Sequence, residues 1–168
     1  MYKELPVRCY GVAAVVLRKT GRKHQVLLLR RATTLKGHWC QVSGGNEPGE
    51  TAWQAALREI REETDLVPNK LYSADVSEQF YEIDKDAIWI APVFVAFVSD
   101  SAKVTLNDEH SVFKWVSFAQ AKSMVPFPGQ KNIIHSIFEN FVRQPPLELL
   151  RIKNTRNSFR TIDTTRTM

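Results

Sequence analysis

Apolar positions along the chain switch between strand-like runs and helical spacing. Residues 9–18 (CYGVAAVVLR) form a Val-rich run that reads as a strand, with Thr20-Gly21 as the turn after it. Residues 25–31 (QVLLLRR) read as its hairpin partner and end in two arginines. A short strand at 39–42 precedes the Gly-rich loop SGGNEPGE, and 51–64 has helical spacing. Strands follow at 70–81 and 88–98, the second apolar enough to be buried on both faces. A short strand at 112–116 leads to Ser117, which caps a short helix. Residues 130–142 (QKNIIHSIFENFV) form an amphipathic closing helix, stopped by Pro145-Pro146. The pattern predicts an α/β protein, a mixed sheet with helices packed on it.

Length and composition fit one ordinary globular domain. The chain has 168 residues, 43% hydrophobic and 24% charged, which excludes a disordered chain, a collagen and a disulfide-stapled scaffold. No apolar run reaches the roughly 20 residues that span a bilayer, and MYKELPVRCYG lacks the layout of a secretory signal. A cytoplasmic protein with no membrane partner is expected. Cys9 and Cys40 lie far apart without metal-ligand spacing and read as small buried hydrophobes in a reducing compartment. The net charge of +5 is uneven: Arg151, Lys153, Arg156, Arg160 and Arg166 face only Asp163 in the last stretch. The chain divides into a domain over 1–146 and a basic, poorly ordered tail over 147–168. Such a tail is usually a solvated end, though it can touch nucleic acid.

Chemistry concentrates in residues 43–66, SGGNEPGETAWQAALREIREETDL. At 100° per residue, Glu59, Glu62 and Glu63 fall on one helix face. Glu59 and Glu63 are an i, i+4 like-charge pair, which costs a few tenths of a kcal/mol in an isolated helix. Trp53, Leu57, Ile60 and Thr64 form a separate stripe suited to the sheet, and Ala52, Ala55 and Ala56 let another backbone approach closely. Either the carboxylates line a solvated helix face or they share a cation; clustered carboxylate oxygens suit hard Mg²⁺ or Mn²⁺. The loop favours the cation. Gly44, Gly45 and Gly49 permit tight turns and close approach to the main chain, while Thr51 and Gln54 form a capping box that fixes the helix start.

Gly44, Glu50 and the run Arg58-Glu59-Ile60-Arg61-Glu62-Glu63, in this spacing, resemble the signature of the Nudix hydrolases. One position departs: Asp65 stands where the family usually has Gly, and Asp tolerates the left-handed conformation better than most residues. The resemblance implies a Nudix-like α/β/α sandwich and a metal-dependent enzyme that breaks a diphosphate bond with water. It implies Glu59, Glu62 and Glu63 as carboxylates holding Mg²⁺ (or Mn²⁺) and the Ser43 carbonyl as a main-chain ligand. Arg58 and Glu50 would be an ion pair that orients the helix. Asn107-Asp108-Glu109-His110, followed by Phe113-Lys114-Trp115-Val116, resembles the segment that brings a further acid to the site, with Glu109 as fourth ligand or general base and His110 as a bystander.

Arg30 resembles a family arginine that contacts phosphates, whereas Arg31 is expected to face solvent. Trp39, Phe80, Tyr81 and Trp89 are candidates to stack on a base, although most such aromatics are core. Residues 38–50 are similar to the branch of the family acting on dATP or dihydroneopterin triphosphate, in which Arg8 and Gln130 fall near substrate-contacting positions.

Three functional readings follow. The first is a Mg²⁺-dependent pyrophosphohydrolase of a nucleoside triphosphate or a pterin triphosphate. The second keeps the chemistry and changes the substrate to ADP-ribose, a dinucleoside polyphosphate or the 5′ end of RNA. The third is a non-catalytic nucleotide-binding module, which the intact set Glu50, Arg58, Glu59, Glu62 and Glu63 disfavours. A homodimer is compatible with all three.

Overall fold

Gly21 adopts φ +62° at the tip of the first hairpin, as the Thr20-Gly21 pair predicts. The computed structural model, which describes residues 2–153, builds that hairpin from β2 (Gly11–Thr20) and β3 (Lys23–Arg31). The other strands are β1 (Val7–Arg8), β4 (Trp39–Cys40), β5 (Val42–Gly45), β6 (Lys70–Glu82), β7 (Ala87–Val98) and β8 (His110–Val116). All belong to one mixed sheet. β7 runs parallel to β2 and β1, and the remaining pairings are antiparallel.

One feature of the register creates room for a site. The last residues of β2 pair with β3, but its first four, Gly11 to Ala14, pair with Gly45 to Val42 of β5. The sheet therefore divides at the N-terminal end of β2, and the glycine loop enters there. The sequence-predicted strand at 39–42 is in fact two short strands, because the chain leaves β3 after Cys40 and joins β2 at Val42.

Helices cover both faces, which gives the α/β/α sandwich. Helix α1 (Ala52–Thr64) packs on one face with Val12, Ala14, Val16, Leu27, Leu29 and Phe94. Helices α2 (Phe118–Met124) and α3 (Pro128–Ile137) cover the other, over Ala13, Val15, Leu17, Leu28, Val93 and Val95. Odd and even residues of β2 thus feed different cores, as period-two alternation requires of a strand buried on both sides. The predicted Thr51–Gln54 capping box is present, and Ser117 caps α2 as predicted, in a box completed by Gln120. The closing helix begins earlier than predicted, with Pro128 in its first turn, and continues as a π-helical segment over Phe138–Val142.

Cys40 is buried but Cys9 is exposed, against expectation. Cys9 occupies the break between β1 and β2, where no second layer covers it. Beyond Pro146 the chain follows β6 as far as Lys153: Ile152 N–H donates to the Leu71 carbonyl at 2.9 Å, and Arg151 bridges to Tyr72. The rest of the expected basic tail, with Arg156, Arg160 and Arg166, lies outside the described residues. Among the described residues, no helix is long and apolar enough to cross a membrane.

Candidate active site

The site grows from the start of α1. Thr51 and Gln54 fix the first turn, and the last turn closes on Asp65, whose φ of +56° is the left-handed cap. Its N–H donates to the Arg61 carbonyl at 2.8 Å, and its carboxylate pairs with Arg61 Nε at 2.8 Å. Asp therefore performs the turn for which glycine is usual. Leu57, Ile60 and Thr64 seat the helix on the sheet, and Ala55 and Ala56 are fully buried at the β5 side. This seating turns Arg58, Glu59 and Glu63 toward the glycine loop.

Arg58 ties the loop to the helix. Its Nε donates to Glu50 Oε1 at 2.7 Å and its Nη2 to Glu50 Oε2 at 3.0 Å, a bidentate pair. Nη2 also donates to the Gly45 carbonyl at 2.7 Å, and Nη1 reaches Glu59 Oε1 at 2.8 Å and Glu62 Oε2 at 3.2 Å. The Glu50 hydrogen bonds, ahead of the opposing burial, raise the guanidinium's affinity for its proton. Burial opposes ionisation of Glu50, yet Arg58 and the Glu47 backbone N–H hold its carboxyl below the usual range.

Glu59 lies against Gly44. A Cβ at Gly44 would collide with the Glu59 carboxyl carbon and both its oxygens, so only glycine leaves that carboxylate its place. Burial raises the Glu59 carboxyl, and Glu62 and Glu109 add to the rise against the pull of Arg58. Glu63 is 2% exposed, and its Oε2 has no hydrogen-bond partner. Burial pushes its carboxyl up to about 9, and the nearby negative charges of Glu59 and Glu109 push the same way. Glu62 is half exposed at the rim.

Glu109 is exposed, anchored by its own carbonyl accepting from Ala32 N–H at 2.8 Å, and its charge bears on Glu59 and Glu63. His110 is no bystander. It is buried, with Nδ1 4.0 Å from Glu63 Oε2 and Nε2 3.9 Å from Cys40 Sγ. Burial and the charge of Arg31 lower its proton affinity against the pull of Glu109.

The two arginines ending β3 differ from expectation. Arg30 is exposed and its Nε reaches the Gly37 carbonyl at 3.3 Å. Arg31, expected in solvent, donates to Ser43 Oγ at 3.2 Å, and its positive charge acts on both Glu63 and Glu78. A register shift between Arg30 and Arg31 opposite β8 redirects this end of the strand. The remaining candidates lie apart from the carboxylates. Trp39 packs on the α3-side core with Lys114 Nζ 5.3 Å from its ring centroid, and Gln130 is buried in the first turns of α3. Arg8 sits on the edge strand opposite Trp89. Gln41 Nε2 donates to Glu78 Oε2 at 3.1 Å on the α3 side of the sheet, a pairing that nothing local in the sequence marks.

Among the described residues, no three His, Cys, Asp or Glu side chains converge as a finished metal cage. Glu59 and Glu62 instead lend oxygens to Arg58. The donor set nonetheless fits a hard divalent ion. It offers oxygen ligands only, a buried Glu63 oxygen without a partner, mutual repulsion that a cation relieves, and a glycine that exposes main chain beside them.

A family model for the NUDIX domain matches residues 8–137. The chain belongs to the NUDIX family; the class so defined is the Nudix hydrolases, enzymes of nucleotide diphosphate bonds that generally use divalent metal ions. Among its relatives, the bis(5′-nucleosyl)-tetraphosphatase [asymmetrical] of Caenorhabditis elegans is 32% identical over 121 residues, covering 71% of this chain and 87% of that protein. An octanoyltransferase of Myxococcus xanthus is 34% identical over 132 residues, 77% of this chain; the match spans only 36% of that protein. The E. coli dihydroneopterin triphosphate pyrophosphohydrolase superposes with a TM-score of 0.63 at 22% identity, covering 83% of this chain and 99% of that one, a likeness of fold.

Proposed function

We propose that this chain is a Mg²⁺-dependent (or Mn²⁺-dependent) pyrophosphohydrolase that cleaves a diphosphate bond of a nucleoside triphosphate or pterin triphosphate, releasing pyrophosphate and a monophosphate. The observation that carries the reading is the buried Glu63 oxygen without a partner, set beside Glu59 and the close-packed Gly44. Glu59, Glu63 and Glu62, the Ser43 carbonyl and Glu109 would hold the ion. When bound, it supplies charge neutralisation for the phosphates and a lowered pKa for coordinated water. Arg58 holds the loop to the helix so that Glu59 keeps its orientation. Glu109, exposed just before β8, would serve as a further ligand or accept a proton from attacking water. Arg30 and Arg31 offer positive charge to the phosphates at the end of β3. The two free thiols suit a cytoplasmic setting.

A second reading, a dinucleoside polyphosphate as substrate, is favoured by the likeness to the C. elegans tetraphosphatase over 87% of that protein. One experiment separates them. The purified chain is incubated with Mg²⁺ and a panel of nucleoside triphosphates, pterin triphosphate and dinucleoside tetraphosphates, and products are identified by mass. The first reading expects pyrophosphate and a monophosphate from a triphosphate. Cleavage of dinucleoside tetraphosphates alone selects the second, and no chelator-sensitive product from any of them contradicts both.

A further inference from the structure

Between the tip of the first hairpin and the helices α2 and α3 lies a cavity of about 720 Å³. Strand alternation explains what lines it. Val15 and Leu17 of β2 and Val26 and Leu28 of β3 face the core beneath α3. The next positions outward on that face are Lys19 and His24, which stand opposite each other in the register. Arg22 in the turn and Lys23 at the start of β3 complete this wall. Lys122 of α2 and His135 of α3 line it from the helical layer. The apolar core thus ends in a ring of basic side chains drawn from three elements and one turn.

These cations are crowded and lack counter-charges. Like charges directly opposite on neighbouring strands repel. Burial lowers the proton affinity of His24, and the charge of Lys19 acts in the same direction. Among the described residues, none of Lys19, Arg22, Lys23 and Lys122 forms an ion pair with a carboxylate. Glu139, the acid in the cavity wall, is already bonded to Arg143 at 2.8 Å. The rest of the wall is apolar: the Phe118 and Phe138 rings lie 5.2 Å apart, with Val142 beside them. β3 holds this cavity well away from the acidic face of α1. Its eight steps from Lys23 to Arg31, at about 3.4 Å each, span roughly 27 Å.

We propose that this cavity is a second binding site, separate from the candidate active site, for a small molecule that carries a polyphosphate group. Charge sets the class. Four permanent cations around one cavity call for several negative charges on adjacent groups. A phosphate chain supplies them, with acceptor oxygens for the ammonium and guanidinium donors; a single carboxylate would answer only one or two. Volume sets the size, since the cavity falls within the roughly 300–1,000 Å³ of small-molecule sites. Two sources share this chemistry, free inorganic polyphosphate and a nucleotide. The apolar wall of Phe118, Phe138 and Val142 favours the nucleotide, whose ring has area to bury there. The site does not depend on the proposed hydrolysis, because its charge is opposite to that of the carboxylate cluster and its ligand needs no metal.

The test is calorimetry on the full chain with a chelator present, so that the acidic face of α1 holds no metal and repels polyanions. Inorganic tripolyphosphate, ATP and adenosine are titrated separately, and no turnover is needed. ATP, tripolyphosphate or both should bind and adenosine should not, with the tighter polyanion naming the source. Added salt should weaken the binding. Lys19→Ala combined with Lys122→Ala, checked for an unchanged melting transition, should weaken it about tenfold or more. If that pair melts early, Arg22→Ala combined with Lys23→Ala, both at exposed positions of the hairpin tip, gives the same reading. Absence of binding by both polyanions overturns the proposal, as does binding that the folded double variant leaves unchanged, or adenosine binding as tightly as ATP. A single-stranded RNA oligonucleotide that binds about a hundredfold tighter than ATP, and weakens in the same variants, would make the cavity part of a nucleic-acid surface and overturn the small-molecule assignment.

Discussion

On the α1 side of the sheet, Glu50, Arg58, Glu59, Glu62 and Glu63 come from one short stretch of chain; on the α3 side, Gln41, Glu78 and Gln130 come from three segments. The α1 side gathers several carboxylates around one guanidinium, so they outnumber what Arg58 can satisfy, and one buried Glu63 oxygen is left without a hydrogen-bond partner. On the α3 side Gln41 donates to the single carboxylate Glu78, and there the unpaired atom is the neutral Gln130 carbonyl oxygen. An excess of buried negative charge is relieved by a cation. An excess of neutral acceptors is relieved by N–H donors.

The sharpest way to break this contrast is Glu63→Gln. Activity should fall about 10³-fold, while the melting temperature stays level or rises, because glutamine needs no bound proton to be neutral in that buried place. Near wild-type turnover would show that Glu63 serves packing alone. Next comes Gly44→Ala. The added methyl meets the Glu59 carboxyl, so kcat should drop about 10²-fold with a modest stability loss; a fully active, equally stable variant would show that Glu59 is free to move. Arg58→Ala strands Glu50 and frees the loop carbonyl of Gly45. It should cost about 3 kcal/mol in urea unfolding, and a loss below about 1 kcal/mol would show the pair to be peripheral.

The smallest effect is the pH dependence of the protein without added metal. Glu63 holds its proton more tightly folded than unfolded, up to about 9 against an ordinary 4.5. Its contribution is therefore fully present below about pH 4.5 and is lost as pH climbs toward 9. Wild type should lose stability with rising pH across that window more steeply than Glu63→Gln, read as melting temperature; parallel curves would contradict the assigned burial.

The α1 side was legible because its chemistry is local. Register along one helix, 100° per residue, sets Glu59, Glu62 and Glu63 on one face whatever they pack against, and Thr51 with Gln54 marks where that helix begins. A mixed sheet with helices packed on it was legible from alternating periodicities for the same reason, whereas the α/β/α sandwich came from the family resemblance. Long-range pairing was not. The division of β2 between β3 and β5 decides where Gln41 and Ser43 point, and the register shift opposite β8 decides that Arg31 rather than Arg30 meets Ser43. Neither is encoded within a window of the sequence. Cys9 was misjudged because an apolar run predicts a strand and not whether a layer covers its first residues. His110 was misjudged because its burial against Glu63 depends on β8 pairing with β3.

The central claim is that the acidic face of α1 and the glycine loop together hold a divalent cation. Titration of Mn²⁺ into wild type and Glu63→Gln, followed by calorimetry and by the electron paramagnetic resonance signal of the free ion, tests it most directly. The account expects chelator-reversible binding to wild type and a loss of about tenfold or more in affinity in the variant. Equal binding by the two proteins would contradict it.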